Sequence, residues 1–179
     1  MKTSIVQLNG NKWNQPLPKD MNSNKTWVLV LASPKMAKHP AVDEVLKAFP
    51  QSVISGCSSS GEIFSDRVFD ESLSVSVCQF DKTNLKQASV DLAKFKDSYS
   101  AGEALGKELK ASDLQAIFVL SDGLNVNGTE LTRGMNQVLL DLPRPVTISG
   151  GLAGDGADFK NTFTIEGSGV HSKKILAIG

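Results

Sequence analysis

The chain has 179 residues, of which 40% are hydrophobic and 21% charged, enough apolar material for a buried core of ordinary domain size and too much for disorder. Nineteen Lys and Arg balance nineteen Asp and Glu, so no basic field draws in nucleic acid or an anionic membrane. With 6% aromatic residues there is no base-stacking surface, and Cys57 and Cys78 alone make neither a disulfide framework nor a zinc ligand set. Two reduced thiols in a cytoplasmic protein are expected. "MKTSIVQLNGNKW" lacks the apolar core of a signal peptide, and no apolar run reaches membrane-spanning length.

In chain order, residues 1–25 are polar and read as an irregular arm with one short strand near Ser4 to Leu8. "TWVLVLAS" (26–33) is a continuous apolar run of strand length, the pattern of a strand covered on both faces. "HPAVDEVLKAFP" follows: Pro40 suits a first helical turn, Pro50 ends the segment, and Ala41, Val42, Val45, Leu46 and Phe49 share one face. "QSVISG" predicts a short strand running into a loop of small residues. "SLSVSVCQF" (72–80) and "QASVDLA" alternate with the period of half-buried strands. A helix is expected over about 98–110, then a buried strand "QAIFVLSDG" ending at Asp122-Gly123. An amphipathic helix over 129–142 and a strand "PVTISGG" come next. "NTFTIEG" and "KKILAIG" read as a closing hairpin turning near Gly167-Ser168-Gly169.

The halves match. Each runs strand, helix, strand, Ile-Ser-Gly, small-residue loop, strand, strand, which predicts an internal repeat with units of about 26–93 and 115–179. The expected fold class is α/β with mixed sheets, built as two pseudo-symmetric strand–helix–strand–loop–hairpin units. If the units face each other, so do "ISGCSSSGE" and "ISGGLAGDG". The first supplies Gly56, Cys57, Ser58, Ser59, Ser60, Gly61 and Glu62; the second supplies Gly150, Gly151, Leu152, Ala153, Gly154 and Asp155. Bare N–H groups of such loops can cradle a carboxylate. Glu62, Asp155 and Asp122, with its neighbour Gly123, could receive an ammonium group. The alternative for the glycines is tight turns, and for the acids, turn caps or solvated positions.

Phosphate-loop and dinucleotide patterns are absent: neither loop has a lysine, and Gly151, Gly154 and Gly156 are spaced the wrong way for G-x-G-x-x-G. "GCSSSG" misses the nucleophile elbow because Ser60 stands where glycine is required. No metal motif and no cofactor is expected. A hydrolase or transferase using Cys57 or a loop serine needs a base, and only His39 and His171 exist, both in loop-like settings. An interaction scaffold without a small ligand is the third reading.

"TWVLVLAS", "VISGCSSSGEI", "AIFVLSDG" and "TISGGLAGDGADFKNTF", in this order and spacing, resemble the N-terminal part of the FIST domain over residues 26–179. The resemblance implies an intracellular bacterial sensory module of signal transduction that takes small ligands such as amino acids. It also implies a FIST C-terminal domain or a signalling output protein as partner. The chain departs from the family at Ser59-Ser60, where Thr-Ala is usual.

Overall fold

A computed structural model describes residues 1–179. The elements are β1 (Lys2–Asn9), β2 (Lys12–Trp13), β3 (Thr26–Ala32), α1 (Pro40–Ala48), β4 (Val53–Ser58), β5 (Glu62–Phe64), β6 (Arg67–Phe69), β7 (Ser72–Gln79) and β8 (Gln87–Asp91). After these come α2 (Ser98–Leu109), β9 (Ala116–Ser121), α3 (Gly128–Leu139), β10 (Thr147–Leu152), β11 (Thr164–Glu166), β12 (Gly169–His171) and β13 (Lys174–Ile178). The helix starts are chemically marked. His39 Nδ1 accepts the Ala41 N–H ahead of Pro40, Asp97 accepts the Ser100 N–H, and Asn127 accepts the Glu130 N–H.

The strands form a seven-stranded sheet ordered β12-β11-β4-β3-β7-β1-β2, a four-stranded sheet ordered β10-β9-β13-β8, and the separate hairpin β5-β6. Within the two large sheets, β4-β3-β7-β1 and β10-β9-β13-β8 follow one scheme. The first pair is parallel and the next two are antiparallel in both. Register agrees as well: Ile54-Ser55-Gly56 lies opposite Val28-Leu29-Val30, and Ile148-Ser149-Gly150 opposite Ile117-Phe118-Val119. Glycine is required at both third positions. A Cβ would stand 2.3 Å from the Val30 carbonyl oxygen at Gly56 and 1.9 Å from that of Val119 at Gly150.

One face of the larger sheet buries Val28, Val30, Val75 and Val77 against Val42, Val45 and Phe49 from α1 and the residue after it. One face of the smaller sheet buries Ile117, Val119, Ile175 and Ala177 against Leu105 of α2 and Leu131 and Met135 of α3. The remaining faces meet. Trp27 and Phe118 pack edge to face with ring centres 5.0 Å apart, and Cys57 joins Leu120 and Ala153 with Leu29 and Leu31 alongside. The layering is helix, sheet, sheet, helices.

Four expectations change. The first unit does not run 26–93: β8 pairs with β13 in the smaller sheet, and β1 holds the equivalent place beside β7 in the larger one. Residues 1–25 are not an irregular arm: β1 pairs with β7 along its whole length and buries Val6 and Leu8. The closing hairpin is β11-β12, turning at Gly167-Ser168, while "KKILAIG" leaves it to pair with β8 and β9 in the other sheet. Strand β7 is covered on both faces, because Ser72 and Ser74 are buried as well as Leu73 and Val75. The hairpin β11-β12 also crosses units, adding to β4 with Ile165 opposite Gly56. No helix is long and apolar enough to cross a membrane.

Candidate functional site

The ends of β4 and β10 come together, and the two small-residue loops bond to each other. Gly154 N–H donates to the Ser58 carbonyl at 2.9 Å, and Gly156 N–H donates to Ser60 Oγ at 3.0 Å. A Cβ on Gly154 would lie 2.4 Å from Ser60 Oγ, so that glycine permits the approach. The strands run further than the sequence suggests, through Ser58 and Leu152. Gly56, Cys57, Ser58, Gly150, Gly151 and Leu152 are therefore strand residues, and the loops are shorter than expected.

Most loop donors are already engaged. Ser58 N–H goes to the Phe163 carbonyl, Ser59 N–H to that of Ala32, and Gly61 N–H to Ser59 Oγ. Ser58 Oγ accepts the Phe163 N–H at 3.2 Å. The first loop thus spends its N–H groups on its own sheet and its own turn, and the Gly154 and Gly156 N–H groups of the second loop are the ones that join the two sheets.

The carboxylates divide. Asp122 Oδ1 accepts the N–H groups of Leu124 and Asn125 and the Asn125 side-chain amide, and its Oδ2 accepts from Thr162, which also takes the Gly123 N–H. Asp122 and Gly123 thus shape a turn. Asp155 Oδ2 accepts from Asn161 N–H at 2.8 Å and Lys160 N–H at 2.6 Å, and these bonds hold its carboxyl below the usual aspartate range. Glu62 differs. It is fully buried, its Oε2 accepts the Ser72 hydroxyl at 2.8 Å and N–H at 3.3 Å, and its Oε1 has no partner. Burial raises its pKa, opposed by the Ser72 bonds.

A cleft of about 190 Å³ opens where the loops meet. Ser59, Ser60, Gly61, Glu62 and Asp155 line it, as expected from sequence. Ser33, Lys35, Asp70, Glu71, Gly156 and Asp158 also line it and were not expected. Lys35 is the one cation, paired with Glu71. Gly150, Gly151 and Leu152 lie elsewhere, on a second cleft between β10 and α3. Gly56, Cys57, Ser58, Ala153 and Gly154 support the junction from beneath without lining the first cleft.

Cys57 packs in the sheet interface, and burial pushes its thiol up to about 12, where thiolate is negligible at neutral pH. His39 caps α1, and His171 bonds Ser168. Cys57 pairs with Thr164 and Thr164 with His171, so that histidine sits two strands away, on the order of 10 Å. A thiol reagent at neutral pH is expected to modify half-buried Cys78 in the native protein and Cys57 only after unfolding. Rapid native labelling of Cys57, mapped by peptide mass, would contradict this.

No curated protein and no solved structure matches the chain. A family model described as FIST N domain matches residues 26–179, the span of both sheet units beyond β1 and β2. The chain belongs to the FIST N domain family, a family of signal-transduction sensory domains.

Proposed function

We propose that this domain senses a small zwitterion, an amino acid, bound in the cleft between Ser59–Gly61 and residues 155–158. The observation that carries the reading is the unpartnered, buried Oε1 of Glu62. A buried acceptor without a partner costs free energy, and an ammonium group is the donor that satisfies a carboxylate best. Asp70 and Asp158 at the rim reinforce the preference for positive charge. Lys35 can turn from exposed Glu71 to a ligand carboxylate at small loss, because an exposed ion pair is worth little. Glycine-loop donors supply little of the recognition in this reading, and Asp155 holds the loop rather than the ligand. A polyphosphate would meet five carboxylates and one lysine.

The ligand would touch loops from both sheets at once. Bound ligand then favours one arrangement of the sheets, and a FIST C-terminal domain or output protein in the bacterial cytoplasm reads that arrangement. The test is calorimetric titration of the domain with the common amino acids and with nucleotides. Saturable heat from one amino acid or a narrow group, absent with nucleotides, is the expected result. Tight nucleotide binding, or no response to any amino acid, contradicts it.

A further inference from the structure

The two sheet units carry equivalent hairpins, and only one is docked. Hairpin β11-β12 has three-residue strands, a two-residue turn and the central pair Ile165↔Val170. Hairpin β5-β6 has the same dimensions and the central pair Ile63↔Val68. Each is followed by a residue of positive φ before the next strand, Lys173 at 54° and Glu71 at 55°. Ile165 is fully buried in the core of the larger sheet, with Val170 packed against it. Ile63 and Val68 are 71% and 68% exposed.

The acceptor edges divide in the same way. Strand β4 receives β11, with Ser58 N–H donating outward to Phe163. Its equivalent β10 is the terminal strand of its sheet. The N–H groups of Thr147 and Ala153 point inward to Gln115 and Ser121, so by alternation those of Ile148, Gly150 and Leu152 point outward. Beside that edge lies a cleft of about 300 Å³ lined by Val119, Leu131, Ile148 and Leu152. It occupies the position that Ile165 and Val170 fill in the other unit.

We infer that β10 and the cleft beside it receive the β5-β6 hairpin of a second copy of this chain, with Ile63 and Val68 filling the cleft. The chain's own hairpin is held back by its connection. Three residues, Ser59–Gly61, join β4 to β5, whereas eleven, residues 153–163, carry the chain from β10 across to β11. Glu62 also ties β5 to Ser72 at the start of its own β7. Each copy offers one free hairpin and one free edge, so two copies exchanging hairpins satisfy all four surfaces in a closed dimer.

The test measures mass by light scattering and sedimentation over a concentration series. The wild type is expected to dimerise. Ile63→Lys with Val68→Lys, both exposed, should give monomers. Leu152→Pro, which removes an outward N–H after a permissive glycine, should do the same, and Leu152→Lys gives a milder version if the proline variant fails to fold. Mixing the hairpin variant with the edge variant should restore association, because one sound hairpin then meets one sound edge. A wild type that stays monomeric, a dimer indifferent to both sets of substitutions, or a failure of the mixture to associate overturns the inference.

Discussion

Replacing Gly134 with alanine is expected to destabilise the protein by about 1–3 kcal/mol, lowering Tm by roughly 2–12 °C for a chain of this size. The sign is diagnostic. In an ordinary helix interior, glycine to alanine adds about 1 kcal/mol of stability. Here α3 crosses α2 so closely that a Cβ on Gly134 would stand 2.1 Å from the Tyr99 carbonyl oxygen. The contact is reciprocal, since a Cβ on Gly102 would stand 2.2 Å from the Leu131 carbonyl oxygen. Backbone oxygens cannot rotate aside, so the helices must separate. Separation loosens Leu105 and Met135, both fully buried between helices and sheet. Gly102→Ala should do the same, and the double variant should lose less than the sum, because one displacement relieves both collisions. Thermal unfolding followed by circular dichroism reads the effect; a raised Tm in Gly134→Ala would show that the helices are not in contact as described.

Glu62→Gln is expected to stabilise the unliganded domain by a few degrees at neutral pH while weakening amino-acid binding tenfold to a hundredfold, the loss of one charge-assisted hydrogen bond of about 1.5–3 kcal/mol. Burial raises the Glu62 pKa in the folded state. Between its ordinary value of about 4.3 and that raised value, the native state holds more protons than the unfolded state, so stability falls as pH rises. The contribution is fully present below the ordinary value and lost above the raised one. Glutamine does not titrate, so the variant's advantage should vanish as pH falls below that window. Asp155 acts in the opposite direction: its lowered pKa gives stability present above the ordinary aspartate value and lost as pH falls through the lowered one. Asp155→Asn provides the comparison. It should lower Tm at neutral pH by loosening the 155–161 turn. A Glu62→Gln protein less stable than wild type at neutral pH would show that the buried carboxylate is fully compensated and holds nothing in reserve for a ligand.

Much of this fold is readable from local patterns. The apolar run Thr26–Ala32 is β3, the His39-Pro40 start and spaced valines are α1, and the two Ile-Ser-Gly tripeptides take the same place against β3 and β9. What escaped the sequence depends on distant partners. Strand β1 reads as a polar arm because Lys2, Thr3, Ser4 and Gln7 dominate it, and its pairing with β7 spans about seventy residues. The sequence marks β11 as one strand of the closing hairpin but not its partner β12, because the three residues Gly169–His171 show no period, and the longer run of β13 takes that place in the reading. In the candidate site, the meeting of the loops was legible from their shared position, but the roles of the acids were not. Asp122 and Asp155 bond backbone groups a few residues downstream, whereas Glu62 is buried by a hairpin that folds it under Ser72. Lys35 and Asp70 reach the cleft only through tertiary contacts, and no spacing in the chain marks them, whereas Asp158 follows Asp155 by three residues in the same loop.

In the proposed site a ligand ammonium group meets the buried Glu62 carboxylate. Such a contact favours the ionised carboxylate, so binding must expel a proton wherever Glu62 is partly protonated beforehand. Amino-acid binding can be titrated calorimetrically just above pH 4.3, the ordinary glutamate value, in buffers of different ionisation enthalpy. Proton release by the wild type, absent in Glu62→Gln, is the predicted result. Binding without proton release, or release that survives the substitution, would contradict it.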